Sequence, residues 1–321
     1  METQVLPKPC RIDNEEARLS SMEMVIYIAI SSICSILAIT GNGLVILLVY
    51  KKRSLRNASN FFLCSLAVAD LWAGLVPIPI LATLVVSFDV SCNTLDKLND
   101  FWGVQIFVVT ALNLSAVSID RFIAVKWPLR YPSIMKTSTT RRALLVIWVT
   151  SIVLAIPIIC VCGSDTLTYW LFISVLTILI PFLVILYCYS AILKISSQQQ
   201  QRIIPIIHQQ PPHNTRNGPQ LGLKKNRKAM TRFLAVISLL ILALLPNLIW
   251  ATLTMIPFKN CPPAVQAILN NWHWSVLFFN MSPFLNPCIY ALSNRHYRSA
   301  FKNIIKRENG SNTVQMLPQA H

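Results

Sequence analysis

The sequence predicts an all-α protein: a seven-transmembrane helix bundle with a short amphipathic cytoplasmic helix after the seventh span. Three observations carry that prediction. First, 54% of the residues are hydrophobic and only 12% charged, about half the charge a soluble domain carries. Second, stretches almost free of charge recur near residues 24 to 50, 61 to 88, 101 to 119, 143 to 164, 166 to 193, 233 to 258 and 260 to 294. A helix of about 20 residues crosses a bilayer, and buried helices of soluble proteins are shorter. None of the seven shows the alternation of a membrane β-strand. Third, the charge is sorted by side. Every lysine and arginine except Lys8, Arg11, Arg18, Lys97 and Lys259 falls in the first, third and fifth connections, in the tail, or at the inner end of a span. The positive-inside rule then sets the amino terminus outside and the carboxyl tail in the cytoplasm, as seven spans require. The net charge of +16 therefore reads as orientation in a lipid bilayer, with no nucleic-acid partner.

Residues 1–22 form a short, acidic outer segment with no Asn-x-Ser/Thr sequon, and the helix bundle runs over 23–294. The first apolar run is no cleaved signal peptide: it is too long, follows an acidic segment and leads directly into "KKRSLR". The fourth run, 143 to 164, is the shortest. The last opens on polar "CPPAVQAILNNWHW", so its membrane part starts near Trp272. Between the fifth and sixth spans, "SSQQQQRIIPIIHQQPPHNTRNGPQLG" predicts a disordered cytoplasmic linker over about 196–222. After the seventh span, residues 295–307 put Tyr297, Phe301, Ile304 and Ile305 on one helical face and bases on the other, an interfacial helix. Residues 308–321 are the cytoplasmic tail.

Polar residues inside spans carry the functional signal, because a charge at the bilayer centre costs about 2.5 to 3.5 kcal/mol on insertion scales. Asp70 in "LCSLAVADLWAG" is the interior carboxylate of the second span, with Asn42 and Asn286 at matching depths. Polarity alone fits either a hydrogen-bonded packing cluster or a cation or proton site. Asp120 and Arg121 end the uncharged third span side by side; by themselves they are an interfacial ion pair of small value. Prolines recur inside spans, including Pro181, Pro246 and Pro287, where they kink helices and free carbonyls. Of nine cysteines, Cys34, Cys64, Cys188 and Cys288 lie within spans as small packing residues. Cys10, Cys92, Cys160, Cys162 and Cys261 fall on the outer, oxidising side, where one or two disulfides are expected without their pairing being readable.

Taken together, "GNGLVILLVY", "LCSLAVAD", "SIDRFIAVKWPLRY", Trp148, Pro181 with Tyr189, Pro246 and "NPCIY" resemble the rhodopsin-like G-protein-coupled receptors, over residues 24 to 307 in the family's order and spacing. The resemblance implies that Arg121 faces a heterotrimeric G protein and is restrained at rest by Asp120. It implies that Tyr189 and Tyr290 swing toward Arg121 on activation, that Leu129 docks in the G protein, and that Asn286 and Pro287 belong to the switch. Asp70, Asn42, Thr110, Ser282 and Asn286 would form a sodium-linked polar network; no other cofactor is implied. Arrestin and a receptor kinase would be further partners.

The departures bear on the ligand. The span-six tryptophan of the family is Leu244 here, its aromatic neighbour is Leu240, and Asn226 or its neighbours stand where many relatives carry an acid that bridges to Arg121. The aspartate by which amine receptors hold an ammonium is Gly103, and the lysine of photoreceptors is Asn280. A short second outer loop, with Asp96 and Asp100 spaced by four, looks like the melanocortin branch, beside the adenosine and cannabinoid receptors. That pair shares one helical face, where it would meet a basic peptide or calcium or simply favour the helix dipole. Melanocortin receptors add a glutamate where this chain has Ile80. The implied pocket lies in the outer half of the bundle around Asp96, Asp100, Gly103, Val104, Phe107, Asn247, His273 and Val276. A nucleoside, lipid or amine is the alternative ligand. A disulfide from Cys92 to Cys160 or Cys162, and one from Cys10 to Cys261, are further implications. A transporter or channel would need repeated halves or a polar stripe, and an enzyme a catalytic constellation; neither pattern is present in the sequence.

Overall fold

The computed structural model describes residues 18–87, 94–161, 164–208, 238, 242–243, 245–256 and 261–293. Helix α1 (Ser21–Lys51) begins at a capping box, with the Ser20 amide donating to Glu23 Oε2 at 2.8 Å and the Glu23 amide donating to Ser20 Oγ. Asn57 caps α2 (Ala58–Leu75) by accepting from the Asn60 amide at 3.0 Å. The second span then breaks: Pro77, lacking an N–H, starts a separate helix α3 (Pro77–Ser87) after an irregular Val76. Helix α4 (Thr94–Lys126) is the third span and α5 (Tyr131–Ile134) a single turn in the loop after it. Helix α6 (Thr137–Ala155) ends in a 3-10 turn, Ile156–Cys160, where Pro157 sits. Helix α7 (Ser164–His208) is the fifth span. Helical residues 245–255 (α8), α9 (Pro263–Asn270), α10 (Trp272–Asn280) and α11 (Ser282–Ser293) follow.

Among the described residues five helical stretches are long and apolar enough to cross a membrane: 21–51, 58–86, 94–126, 137–160 and 168–195. The last apolar run divides at Asn271, with α9 ending at Asn270 and α10 starting at Trp272. The linker expectation over 196–222 is corrected at its start, since α7 stays helical to His208. Its glutamines are good helix formers, and a helix already under way needs no new nucleus. The remainder of that linker, and the predicted helix at 295–307, lie outside the described residues.

Helix α4 is the axis of the bundle, contacting α2, α3, α6 and α7. Its most apolar window is 72% buried against 22% for α6 and for α7. The outer helices turn rows such as Leu145, Val149 and Ile152, or Val175, Leu179 and Leu186, outward. In water such faces would be costly, whereas lipid makes them neutral. Two backbone-level contacts fasten α1. Ser35 Oγ donates to the Gly74 carbonyl, and a Cβ on Gly74 would sit 3.0 Å from the Ser35 carbonyl oxygen. A Cβ on Gly41 would meet the Pro287 ring at 3.0 Å. Small residues are what let membrane helices approach this closely.

Candidate functional site

At its carboxyl-terminal end, α4 delivers Asp120 into a fully buried position and leaves Arg121 partly exposed. Asp120 is held from two directions: Ser59 of α2 donates its hydroxyl to Oδ2, and Tyr131 of α5 donates its own to Oδ1 at 2.8 Å. Arg121 Nε lies 3.6 Å from Asp120 Oδ2 and makes no hydrogen bond among the described residues. The carboxylate thus binds its two hydroxyl donors more closely than its cationic neighbour. Burial, followed by the charge of Asp120 and the bond to it, pushes the Tyr131 phenol up to about 12. Tyr189 is buried within electrostatic reach of Arg121.

Beyond Arg121 the loop is organised by aromatic contacts. The Lys126 ammonium stands 5.1 Å from the Phe122 ring centroid and 4.4 Å from that of Trp127. Phe122 also meets Tyr187 of α7 at 5.8 Å. Leu129, two residues past Trp127, is 96% exposed, an uncovered apolar side chain on the loop after α4. The Tyr290 side chain lies outside the described part of the structure, as do Leu240, Leu244 and Asn226.

In mid-bundle, Asn286 Nδ2 donates to Asp70 Oδ2 at 2.8 Å, joining the second and seventh spans. Asn42 is buried nearby but donates to the Ala38 and Pro283 carbonyls, each at 2.9 Å, tying α1 to the seventh span's backbone. Thr110 is buried and Ser282 half-buried. Among the described residues neither hydrogen-bonds to Asp70. The direct core of the predicted network is the pair Asp70 and Asn286.

The outer half is lined by aromatic rings. Phe107 is buried edge-to-face against Phe279, centroids 6.0 Å apart. Val104 is fully buried, while Asn247 and Val276 are half-buried. His273 is buried among Tyr27, Trp272 and Trp274, at 6.3, 6.1 and 5.4 Å between centroids. Asp100 Oδ1 accepts the Trp170 indole N–H at 3.2 Å, and Asp96 is half-buried one turn earlier. Among the described residues no group of three or more His, Cys, Asp or Glu is placed to hold a metal ion. One cysteine expectation is corrected: Cys160 is a free, exposed thiol at the end of its 3-10 turn. Cys261 is disulfide-bonded, and its partner lies outside the described residues, as do Cys10, Cys92 and Cys162.

Three functional residues have no role in the sequence reading. Tyr131 closes the "SIDRFIAVKWPLRY" motif but carries no assignment there. Ser59 is one small residue at a helix start. Trp170 has one indirect signal, the missing side chain at Gly103, whose volume some neighbour has to fill.

The model of the 7 transmembrane receptor (rhodopsin family) matches residues 41–290. The chain belongs to the rhodopsin-like family of seven-transmembrane receptors. It is 28% identical to trace amine-associated receptor 7c of Rattus norvegicus, covering 92% of this chain and 87% of that one. It is 26% identical to melatonin receptor type 1A of Ovis aries, over 83% and 74%, and 26% identical to adenosine receptor A2a of Canis lupus familiaris, over 90% and 74%. The crystal structure of squid rhodopsin superposes with a TM-score of 0.72 at 22% identity, covering 90% of this chain and 87% of that one, a likeness of fold. This family member is a multi-pass membrane receptor and not an enzyme.

Proposed function

We propose that this receptor binds an extracellular ligand in the outer half of its bundle and activates a heterotrimeric G protein through Arg121 and Leu129, with its amino terminus outside the plasma membrane. The carrying observation is the cytoplasmic end of α4. A buried, doubly hydrogen-bonded Asp120 keeps Arg121 beside it, and an almost fully exposed Leu129 follows on an ordered loop. An arginine held only by a 3.6 Å contact costs little to release, so a partner offering carboxylates or carbonyls can take it. Arrestin and a receptor kinase would read the same activated face. Sodium at Asp70 is the proposed ion of the mid-bundle network, since a buried carboxylate with one amide donor has room for a cation.

The bond from Trp170 to Asp100 weighs against a calcium or basic-peptide site at Asp96 and Asp100. One of their oxygens is already engaged, and two carboxylates alone fall short of the six to eight oxygens calcium takes. The deciding experiment is nucleotide exchange on a purified G protein, driven by an agonist from a screen of peptides, nucleosides, lipids and amines. Arg121→Ala at normal surface expression is expected to abolish the stimulated exchange. Unchanged exchange would remove Arg121 from the coupling role.

A further inference from the structure

Lys126 is a cation held by rings instead of by an acid. Its ammonium stands 4.4 Å from the Trp127 ring centroid and 5.1 Å from that of Phe122, and among the described residues it is in no ion pair. The sequence accounts for the missing acid, since Asp and Glu are absent from 121 to 164 and again from 166 to 307. The ring contacts restrict the lysine stem and stabilise its charge, but they leave its three N–H donors for an acceptor. This corner also lies at the edge of the lipid. The apolar stretches of α4 and α7 that are long enough to cross a membrane end at Lys126 and Ile195. The two helices run in the same direction, because Gly103 neighbours Trp170 toward their starts and Phe122 meets Tyr187 toward their ends. Both carboxyl ends therefore reach the same membrane boundary. Along α7, Ile180, Leu183 and Tyr187 share one exposed face. The exposed Lys194 continues that face seven residues past Tyr187, about 10 Å along the axis.

We propose that the seam between the carboxyl ends of α4 and α7 binds an anionic phospholipid, its phosphate taking the N–H donors of Lys126, with Lys194 as the second cation and an acyl chain along Ile180, Leu183 and Tyr187. This site is independent of G-protein coupling and needs only the membrane setting of the family. An apolar row, then an aromatic ring, then two bases is the order in which a phospholipid presents its chain, its glycerol and its phosphate. Charge selects the lipid. With no carboxylate in either segment the local field favours an anion, and basic pockets between membrane helices at this depth suit anionic headgroups. A zwitterionic headgroup brings its own ammonium into the same field and gains less. Because two rings already fix the lysine, little further freedom is lost when it meets phosphate.

The test uses the full-length receptor in nanodiscs of phosphatidylcholine alone or of an equal mixture with phosphatidylglycerol, with the melting midpoint as readout. The parent is expected to melt higher in the mixture. Lys126→Gln should lose most of that increment and Lys126→Arg should keep it. Each variant is compared with itself in the two lipids, so any stability lost with the ring contacts cancels. Lys51→Gln, which removes an exposed base at the end of α1, is expected to keep the full increment. Inorganic phosphate added to the phosphatidylcholine discs should leave the parent midpoint unmoved. No increment in the parent, an equal one in Lys126→Gln, an equal loss in Lys51→Gln, or a rise with inorganic phosphate alone would overturn the proposal. So would a fall in stimulated nucleotide exchange in Lys126→Gln without a lipid-dependent difference, which would assign the lysine to a protein partner. Failure of the coupling reading is a separate result, since the lipid comparison contains no G protein.

Discussion

Replacing Tyr131 by phenylalanine removes one hydroxyl and nothing else from the cluster around Asp120. In the structure that hydroxyl donates to Asp120 Oδ1 at 2.8 Å. A hydrogen bond to a charged acceptor contributes about 1.5 to 3 kcal/mol; Tyr131 is only half-buried, so solvent screening argues for the lower end, about 1.5 kcal/mol. If this is the resting arrangement, the loss shifts the balance toward released Arg121 by about tenfold, since 1.36 kcal/mol corresponds to a factor of ten. The assay is ligand-free nucleotide exchange on purified G protein at matched receptor concentration. Tyr131→Phe is expected to raise basal exchange by up to about tenfold, with Ser59→Ala moving it in the same direction. Unchanged or reduced exchange, with an intact melting profile, would refute the assignment of this bond to the resting state. The pH dependence has a definite sign. The folded phenol titrates near 12, above its ordinary value of 10, so the contribution is whole below pH 10 and is lost as pH rises through about 12. A difference absorbance titration of the parent against Tyr131→Phe reads that phenol directly.

Exchanging choline for sodium in the buffer should raise the melting midpoint of the parent and leave Asp70→Asn unmoved, because a cation bound only by the folded state stabilises it; equal behaviour would remove sodium from Asp70. Gly74→Ala should destabilise by about 1 to 3 kcal/mol through overpacking against the Ser35 backbone. Gly43→Ala, whose new methyl would find its nearest neighbour at 3.7 Å, should be tolerated; the comparison is read from denaturation midpoints in detergent. Asn226→Glu should lower basal exchange by supplying the second restraint on Arg121, and equal basal levels at equal expression would count against that restraint.

Spans and their order were legible because the membrane imposes a coarse rule, about 20 apolar residues per crossing. The break at Pro77 and the start at Trp272 follow from equally local signals. The helical stretch of 196–208 was misread because composition reports the absence of a core, whereas glutamine propensity and an upstream helix decide the local outcome. At the candidate site, single motifs pointed to Asp120, Arg121, Asp70 and Asn286, and the last two do meet. What stayed hidden were partners brought from elsewhere in the chain. Ser59 reaches Asp120 from 61 residues away and Trp170 reaches Asp100 from 70. No periodicity encodes such meetings; they follow from how α2, α4 and α7 cross.

Helix α1 also has a practical use. It is joined to α2 through Ser35 and Gly74, and to the seventh span through Gly41 against Pro287 and Asn42 to the Pro283 carbonyl. A helix fastened at two depths to two neighbours cannot slide without breaking all of those contacts together. A spin label at lipid-facing Ile36, 60% exposed, would therefore serve as a fixed origin for distance measurements. Displacements recorded from it to labels near Leu129 would belong to the loop after α4, and not to the point of reference.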